Sequence, residues 1–346
     1  MTSKDERQMD RSAHSGPYYI GIDIGGTNMK IGIVNKDGES LSLSSIPTEA
    51  SQGPKDSLDR LFVTVEQSLK SSGLTLNDIE SIGLATPGTM DIPSGMLLNP
   101  PNLTGWINVP IRQIVEDHFN KPTVLQNDAS AAAYGEYWVG AARSAKSLVF
   151  WTLGTGIGCG IIVNNMIIQG AHSHGSECGH MIIQMDGGRQ LKGTGQFGTL
   201  EAYTGAKSLV RRCQEELDTG RPSILNQWIS EGDTLTTLLM AKAAEASDAL
   251  SEELIMDAAR CMGIGTVTLM HTIDPDMVLF GGAMTFGRHN SALGRRFLQR
   301  IKDEIKRRAF PVPAEKTLID YATLGGSAGY IGSAGCARQA FKEKEE

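Results

Sequence analysis

Residues 19–34 read Tyr19-Ile-Gly-Ile-Asp23-Ile-Gly25-Gly26-Thr27-Asn28-Met-Lys30-Ile-Gly-Ile-Val34. An apolar run ends in an acid, Asp23. The turn Gly25-Gly26-Thr27-Asn28 follows, and a second apolar run spans Ile31 to Val34. Two strands joined by a glycine turn is the plain reading. Paired glycines also let backbone amides come close to a phosphate, with Asp23 at hand for its metal. On this stretch alone both readings stay open.

The plan recurs further on. Leu148 to Leu153 is an apolar run, Gly154-Thr155-Gly156-Ile157-Gly158-Cys159-Gly160 follows, and Ile161 to Val163 is apolar again. Asn164-Asn165 then turns the chain into Met166 to Ile168, as Lys36 to Glu39 turns it into Ser40 to Ile46. A second domain built on the plan of the first is the simplest account, and it would set two glycine turns facing a shared cleft. Leu58, Leu61, Phe62, Val65 and Leu69 recur at helical spacing. Ile79 to Ala85 and Thr123 to Gln126 read as short strands, Gly95 to Trp106 as loop, and Val109 to Phe119 as helix. Asp128 is placed to cap an alanine-rich helix, Ala129 to Val139. Leu200 to Asp274 reads as a helical insert. Met277 to Phe280 reads as a strand, Gly281-Gly282 as a turn, Leu293 to Arg308 as helix and Thr317 to Tyr321 as a late strand. Gly325 to Phe341 is a helix of small residues suited to close packing. The class is α/β. The expected organisation is a disordered tail over 1–16, a small lobe from 17–127 with 325–346, and a large lobe over 128–324.

At 346 residues the chain fits two domains. A net charge of −7 disfavours loose binding to nucleic acid or to an anionic membrane, so an anionic ligand needs local devices. Five scattered cysteines without a C-x-x-C read as reduced thiols in a cytoplasmic protein. No apolar run reaches membrane-span length, and Met1 to Gly16 lacks the apolar core of a signal peptide.

Two motifs fail on context. Gly140 to Ser147 nearly matches a P-loop, but Ala145 replaces its second glycine and the helix precedes it. Gly325-Gly326-Ser327-Ala328-Gly329 matches G-x-S-x-G, yet no Asp or His follows to complete a triad. The stretch His172-Ser-His174-Gly-Ser-Glu177-Cys178-Gly-His180 is rich in metal-ligand types but has no compact partner set. Asp128 is either a plain cap or a general base. One carboxylate beside two phosphate-cradling turns suits phosphoryl transfer to an alcohol. Glu177, His180 and Glu201 would suit a polyol.

Taken together, these motifs resemble the ROK family of bacterial sugar kinases and related repressors. They are Asp23-x-Gly25-Gly26-Thr27-Asn28, Thr86-Pro87-Gly88, Asn127-Asp128-Ala129, Gly154-Thr-Gly-Ile-Gly158 and Glu177-x-Gly179-His180. The resemblance runs from about Tyr18 to Ala337. It implies an actin-like ATPase fold, two RNase H-like lobes around a central cleft. It also implies ATP-dependent phosphorylation of a hexose, glucose foremost, with N-acetylmannosamine, N-acetylglucosamine, fructose or allose as alternatives. Carried over by position, Gly25, Gly26, Thr27, Asn28 and Lys30 would serve the ATP phosphates from one lobe, and Gly154, Thr155, Gly156 and Gly158 from the other. Gly281 and Gly282 would lie near the adenosine, and Asp23 would orient Mg²⁺. Asp128 would be the base for the sugar 6-hydroxyl, and Gly88, Asn102, Asn127, Asp128, Glu177, His180 and Glu201 would hold the sugar. Family members often bind zinc through that histidine and three cysteines. Here Lys192, Thr194 and Thr199 stand at the cysteine positions, so zinc is expected to be absent, with His172, His174 and Cys178 the only candidate replacements. A sugar-sensing repressor is the non-enzyme alternative, disfavoured because little chain precedes the first strand. The family analogy implies a homodimer or larger.

Overall fold

The computed structural model describes residues 16–342. The expected tail over 1–16 lies, but for Gly16, outside the described residues. The chain divides into two compact units, Met1–Ala131 with Gly329–Glu346, and Ala132–Ala328.

The first unit is built on β1 (Tyr18–Ile24), β2 (Asn28–Asn35), β3 (Ser40–Pro47) and β4 (Ile79–Thr86). A small hairpin pairs β5 (Met90–Asp91) with β6 (Met96–Leu97), and β6 falls inside the stretch Gly95 to Trp106 expected to be loop. With β7 (Thr123–Asn127) the main sheet runs β3-β2-β1-β4-β7, antiparallel across the first three strands and parallel from β1 to β7. Helix α1 (Pro54–Ser71) starts on a proline, which costs nothing where no intrahelical donor is needed. It buries Leu58, Leu61, Phe62, Val65 and Leu69, the face its spacing gives. Helix α2 (Ile111–Phe119) begins two residues later than expected. Val109 precedes Pro110, and a residue before proline is pushed out of the helical region. Helix α3 (Asp128–Trp138) follows β7 directly.

The second unit repeats the arrangement. Strands β8 (Ser147–Leu153), β9 (Ile157–Val163), β10 (Met166–Ile167), β11 (Met277–Gly282) and β12 (Leu318–Tyr321) form a sheet in the order β10-β9-β8-β11-β12. Its antiparallel and parallel pairs fall where they do in the first sheet. This is the duplicated RNase H-like topology of the actin-like ATPase fold. Between β10 and β11 come α4 (Leu200–Thr204), α5 (Ala206–Asp218), α6 (Ile224–Ser230), α7 (Thr237–Glu245) and α8 (Ala249–Ile273). Trp151 of β8 is fully buried, and its Nε1 donates to Thr266 Oγ1 of α8 at 3.2 Å. Helices α9 (Ala292–Arg308) and α10 (Pro311–Lys316) complete the unit.

Two glycine assignments change. Gly158 lies inside β9, so the second turn is only Gly154 to Gly156. Gly281 and Gly282 are the last residues of β11 and not a turn. They are glycine because a Cβ on Gly281 would lie 2.8 Å from the Phe150 ring, and one on Gly282 2.3 Å from the Leu153 carbonyl oxygen.

Helix α11 (Ala328–Lys342) follows one turn of 3₁₀ helix at Gly325–Ser327. It lies on a row of three glycines, Gly32, Gly21 and Gly83, aligned across β2, β1 and β4. A Cβ on Gly21 would come 1.8 Å from the Tyr330 carbonyl oxygen, and one on Gly83 1.8 Å from that of Ser333. Small residues on both surfaces permit this approach.

Candidate active site

In the first unit the carboxyl ends of the parallel strands carry the predicted residues. Asp23 is the last residue but one of β1, Thr86 closes β4 and Asn127 closes β7; Asp23 pairs with Ala85, and Thr86 with Asn127. In open α/β sheets this edge is where ligands bind. The Gly25–Asn28 turn is closed by Gly25 N–H donating to the Asn28 carbonyl at 2.9 Å. Thr48, fully buried, ties the turn down: its hydroxyl donates to Gly25 O at 2.6 Å and its amide to Thr27 O at 2.8 Å. Among the described residues the Gly26 and Thr27 amides find no acceptor, and both residues are exposed. That is the condition for receiving an anion. A Cβ on Gly26 would sit 2.9 Å from the Asn102 carbonyl oxygen, and one on Gly88, at φ +85°, 2.6 Å from Pro100 Cα. Asn102 and Gly88 are thereby brought to the same edge as the turn.

Asp128 is not the cap of α3. Asn127 is: its Oδ1 accepts from the Ala129 amide at 3.0 Å and the Ser130 amide at 3.1 Å. Asn127 Nδ2 is left as its donor. Asp128 is the first helical residue, and its Oδ1 accepts from Ala129 N at 2.8 Å. Burial raises the Asp128 carboxyl above its ordinary value, against the pull of backbone amides. Asp23 is pushed up to about 6, first by burial and then by the negative charge of Asp128, with Lys30 opposing. Lys30 is its cross-strand partner. Gly329 leaves room for this carboxylate, since a Cβ there would fall 2.3 Å from Asp23 Oδ2. Two mutually repelling, partly desolvated carboxylates fit a hard divalent cation, which offsets both the burial and the repulsion.

The second unit has a matching turn. Gly154 N–H donates to Gly156 O at 3.0 Å, Ala206 N–H ties down Gly154 O at 3.0 Å, and the Thr155 and Gly156 amides find no acceptor among the described residues. Ile157 joins this turn to the other predicted side chains. Its N–H donates to Glu201 Oε2 at 2.7 Å, and its carbonyl packs on Gly179, where a Cβ would come within 2.2 Å. Glu201, Glu177 and His180 therefore gather beside Gly154–Gly156. One Glu201 oxygen braces the turn. His180 Nδ1 meets Gln196 Oε1 at 2.6 Å. Gly281 and Gly282 stand apart, at the end of β11. Beyond them opens a cavity of about 380 Å³ walled by Leu238, Ala241, Met284 and Phe286, with Lys242 and Glu245 at its rim. In the first unit a larger groove, about 850 Å³, runs past Arg112 and Lys121 along β7 and is lined by none of the predicted site residues.

The donor set at Lys192, Thr194, Thr199 and His180 does not fit zinc. It holds no thiolate, Lys192 is exposed, and the buried Thr199 hydroxyl has no partner. His172 and His174 are exposed, Cys178 is buried, and no group of three metal-ligand side chains occurs among the described residues. Sequence reading missed Thr48 and Gln196. Neither belongs to a local motif, and each acts through a partner distant in the chain.

A doubled RNase H-like sheet, each copy with an open glycine turn at the carboxyl end of its first strand, defines the class as an actin-like ATPase fold. The ROK family model matches residues 19–340, and the chain belongs to that family. It is 29% identical over 332 residues to a glucokinase of Halalkalibacterium halodurans, spanning 96% of this chain and 98% of that protein. It is also 29% identical over 313 residues to a xylose repressor of Caldicellulosiruptor bescii, spanning 90% and 76%. A ROK glucokinase from Streptomyces griseus, solved with glucose and AMPPNP, superposes with a TM-score of 0.76 at 28% identity, covering 93% of this chain and 99% of that one.

Proposed function

We propose that this chain is an ATP-dependent sugar kinase that phosphorylates the 6-hydroxyl of a hexose, with glucose its foremost substrate. The observation that carries the reading is Asp128: a desolvated carboxylate at the carboxyl edge of the first sheet, beside an amide-lined turn. The likeness to glucokinases, one of them solved with glucose and AMPPNP, supports the choice of sugar and nucleotide.

In this reading the open amides of Gly26 and Thr27, with Asn28 and Lys30, receive ATP phosphate oxygens, and those of Thr155 and Gly156 do the same beside Gly154 and Gly158. The cavity beyond Gly281 and Gly282 takes the adenosine, its apolar walls suiting a flat base. Asp23 holds Mg²⁺, which supplies positive charge against the phosphates when bound. Gly88 shapes the sugar site, Asn102, Asn127, Glu177 and His180 bond the sugar, and Glu201 braces the turn. Asp128 accepts the proton of the 6-hydroxyl as that oxygen forms its bond to the γ-phosphorus. The bond from that phosphorus to the β-phosphate oxygen breaks and ADP leaves. The raised basicity of Asp128 favours proton acceptance.

A coupled ADP-release assay across glucose, mannose, fructose, N-acetylglucosamine and N-acetylmannosamine tests the reading. Turnover is expected to be greatest on glucose. Asp128→Asn should lower kcat by about 10²- to 10⁴-fold while sparing sugar binding. No turnover on any sugar, with sugar binding intact, would place the chain with the sugar-sensing relatives instead.

A further inference from the structure

The loop that follows the Glu177–His180 turn carries a hydrogen-bond set of its own. His180 Nδ1 lies 2.6 Å from Gln196 Oε1. The Thr194 hydroxyl lies 3.2 Å from the same oxygen and accepts from the Gln196 amide at 3.4 Å. Its proton can then point at Oε1, so that the imidazole and the hydroxyl both donate to the Gln196 amide oxygen. The backbone around Gln196 is pinned as well. Leu191 N–H donates to Gln196 O at 2.7 Å, Gly195 N–H to Leu191 O at 3.0 Å, and Gly198 N–H to Arg189 O at 2.9 Å. The backbone that carries the Gln196 side chain is thus held on both sides.

We propose that Gln196 is the positioning residue for His180, holding its proton on Nδ1 and leaving Nε2 as a hydrogen-bond acceptor. A neutral imidazole has one donor nitrogen and one acceptor, and the partner of one sets the role of the other. An amide oxygen on Nδ1 demands the proton there. A metal on Nδ1 would force the proton to Nε2 and make that atom a donor. With no thiolate at residues 192, 194 and 199 to share a metal, the imidazole offers a ligand an acceptor at Nε2 in place of a donor. Nε2 takes a hydrogen bond from a ligand hydroxyl, which must direct its proton at the ring. That the ligand is a sugar rests on the kinase reading above; the tautomer does not.

Long-range ¹H–¹⁵N spectra of the full chain with ¹⁵N-labelled histidine test this, with His180 assigned against His180→Gln. The expected signature is neutral His180 protonated at Nδ1. Gln196→Leu removes the acceptor and should move the proton to Nε2. It should also raise the sugar KM about five- to tenfold while kcat changes less than about threefold. Gln196→Glu keeps an acceptor in place and should restore the Nδ1–H signal. An Nε2–H signal in the wild-type chain, an unchanged spectrum in Gln196→Leu, or stoichiometric zinc in protein purified without chelator would each overturn the proposal. If no sugar is phosphorylated, the kinase reading fails while the spectra still decide the tautomer.

Discussion

Asp23 shows how far one residue can be read from its neighbours in the chain. An acid at the end of an apolar strand, before paired glycines, is visible in sequence. Its energetic cost is not, because that depends on Asp128, more than a hundred residues away. The same holds for Asp128, legible as the acid after a strand and open between cap and general base, where Asn127 in fact supplies the cap. Gln196 and Thr48 were illegible because a polar residue in a loop carries no pattern until its partner is known. The raised value of Asp23 has a consequence for stability. Between the ordinary carboxylate value of 3.8 and about 6 the folded chain binds a proton that the unfolded chain has lost. Stability from this group is therefore present at low pH and lost as pH rises through that window. At neutral pH the cost is on the order of 2–3 kcal/mol. Asp23→Asn should remove it, so urea midpoints of variant and wild type should agree near pH 4 and separate in favour of the variant by pH 7. On the proposed function the variant should also lose turnover, since Asp23 is the residue proposed to hold Mg²⁺. A wild type that gains on Asp23→Asn as pH rises would contradict the assignment.

At the scale of elements the fit between glycines and α11 is the most exacting contact in the first unit. Gly83→Ala places a methyl 1.8 Å from a backbone carbonyl oxygen of α11, and Gly21→Ala does the same one strand away. Backbone cannot rotate aside, so each should cost about 3 kcal/mol or more. Gly32→Ala meets the Tyr330 ring at 2.2 Å, a side chain that can turn, and should cost less. Chemical denaturation of the three variants checks the order; an equal cost at all three would mean that the helix itself shifts. Helical spacing made α1 legible, unbroken apolar runs the inner strands, and a run of small residues the α11 segment. The cross-strand glycine row was not legible, since register aligns residues that sequence keeps apart. Gly158, Gly281 and Gly282 misled for a related reason. Glycine usually breaks a strand, yet these three sit within strands, and Phe150 and Leu153 crowd Gly281 and Gly282.

For the whole molecule, the internal echo was the decisive signal, because only a repeated strand plan tells two domains from one. Each unit buries its own core. Ile20, Ile22, Leu61 and Trp106 belong to one, and Trp151, Leu209, Phe280 and Ile301 to the other, with no residue in common. Two separate cores need not melt as a single cooperative unit. Scanning calorimetry should therefore give a calorimetric enthalpy larger than the van't Hoff value. Gly83→Ala supplies the handle, since its damage is confined to the first unit. It should lower one component of the heat-capacity curve and leave the other in place. A single peak with equal enthalpies, displaced as a whole by Gly83→Ala, would show instead that the two cores unfold together.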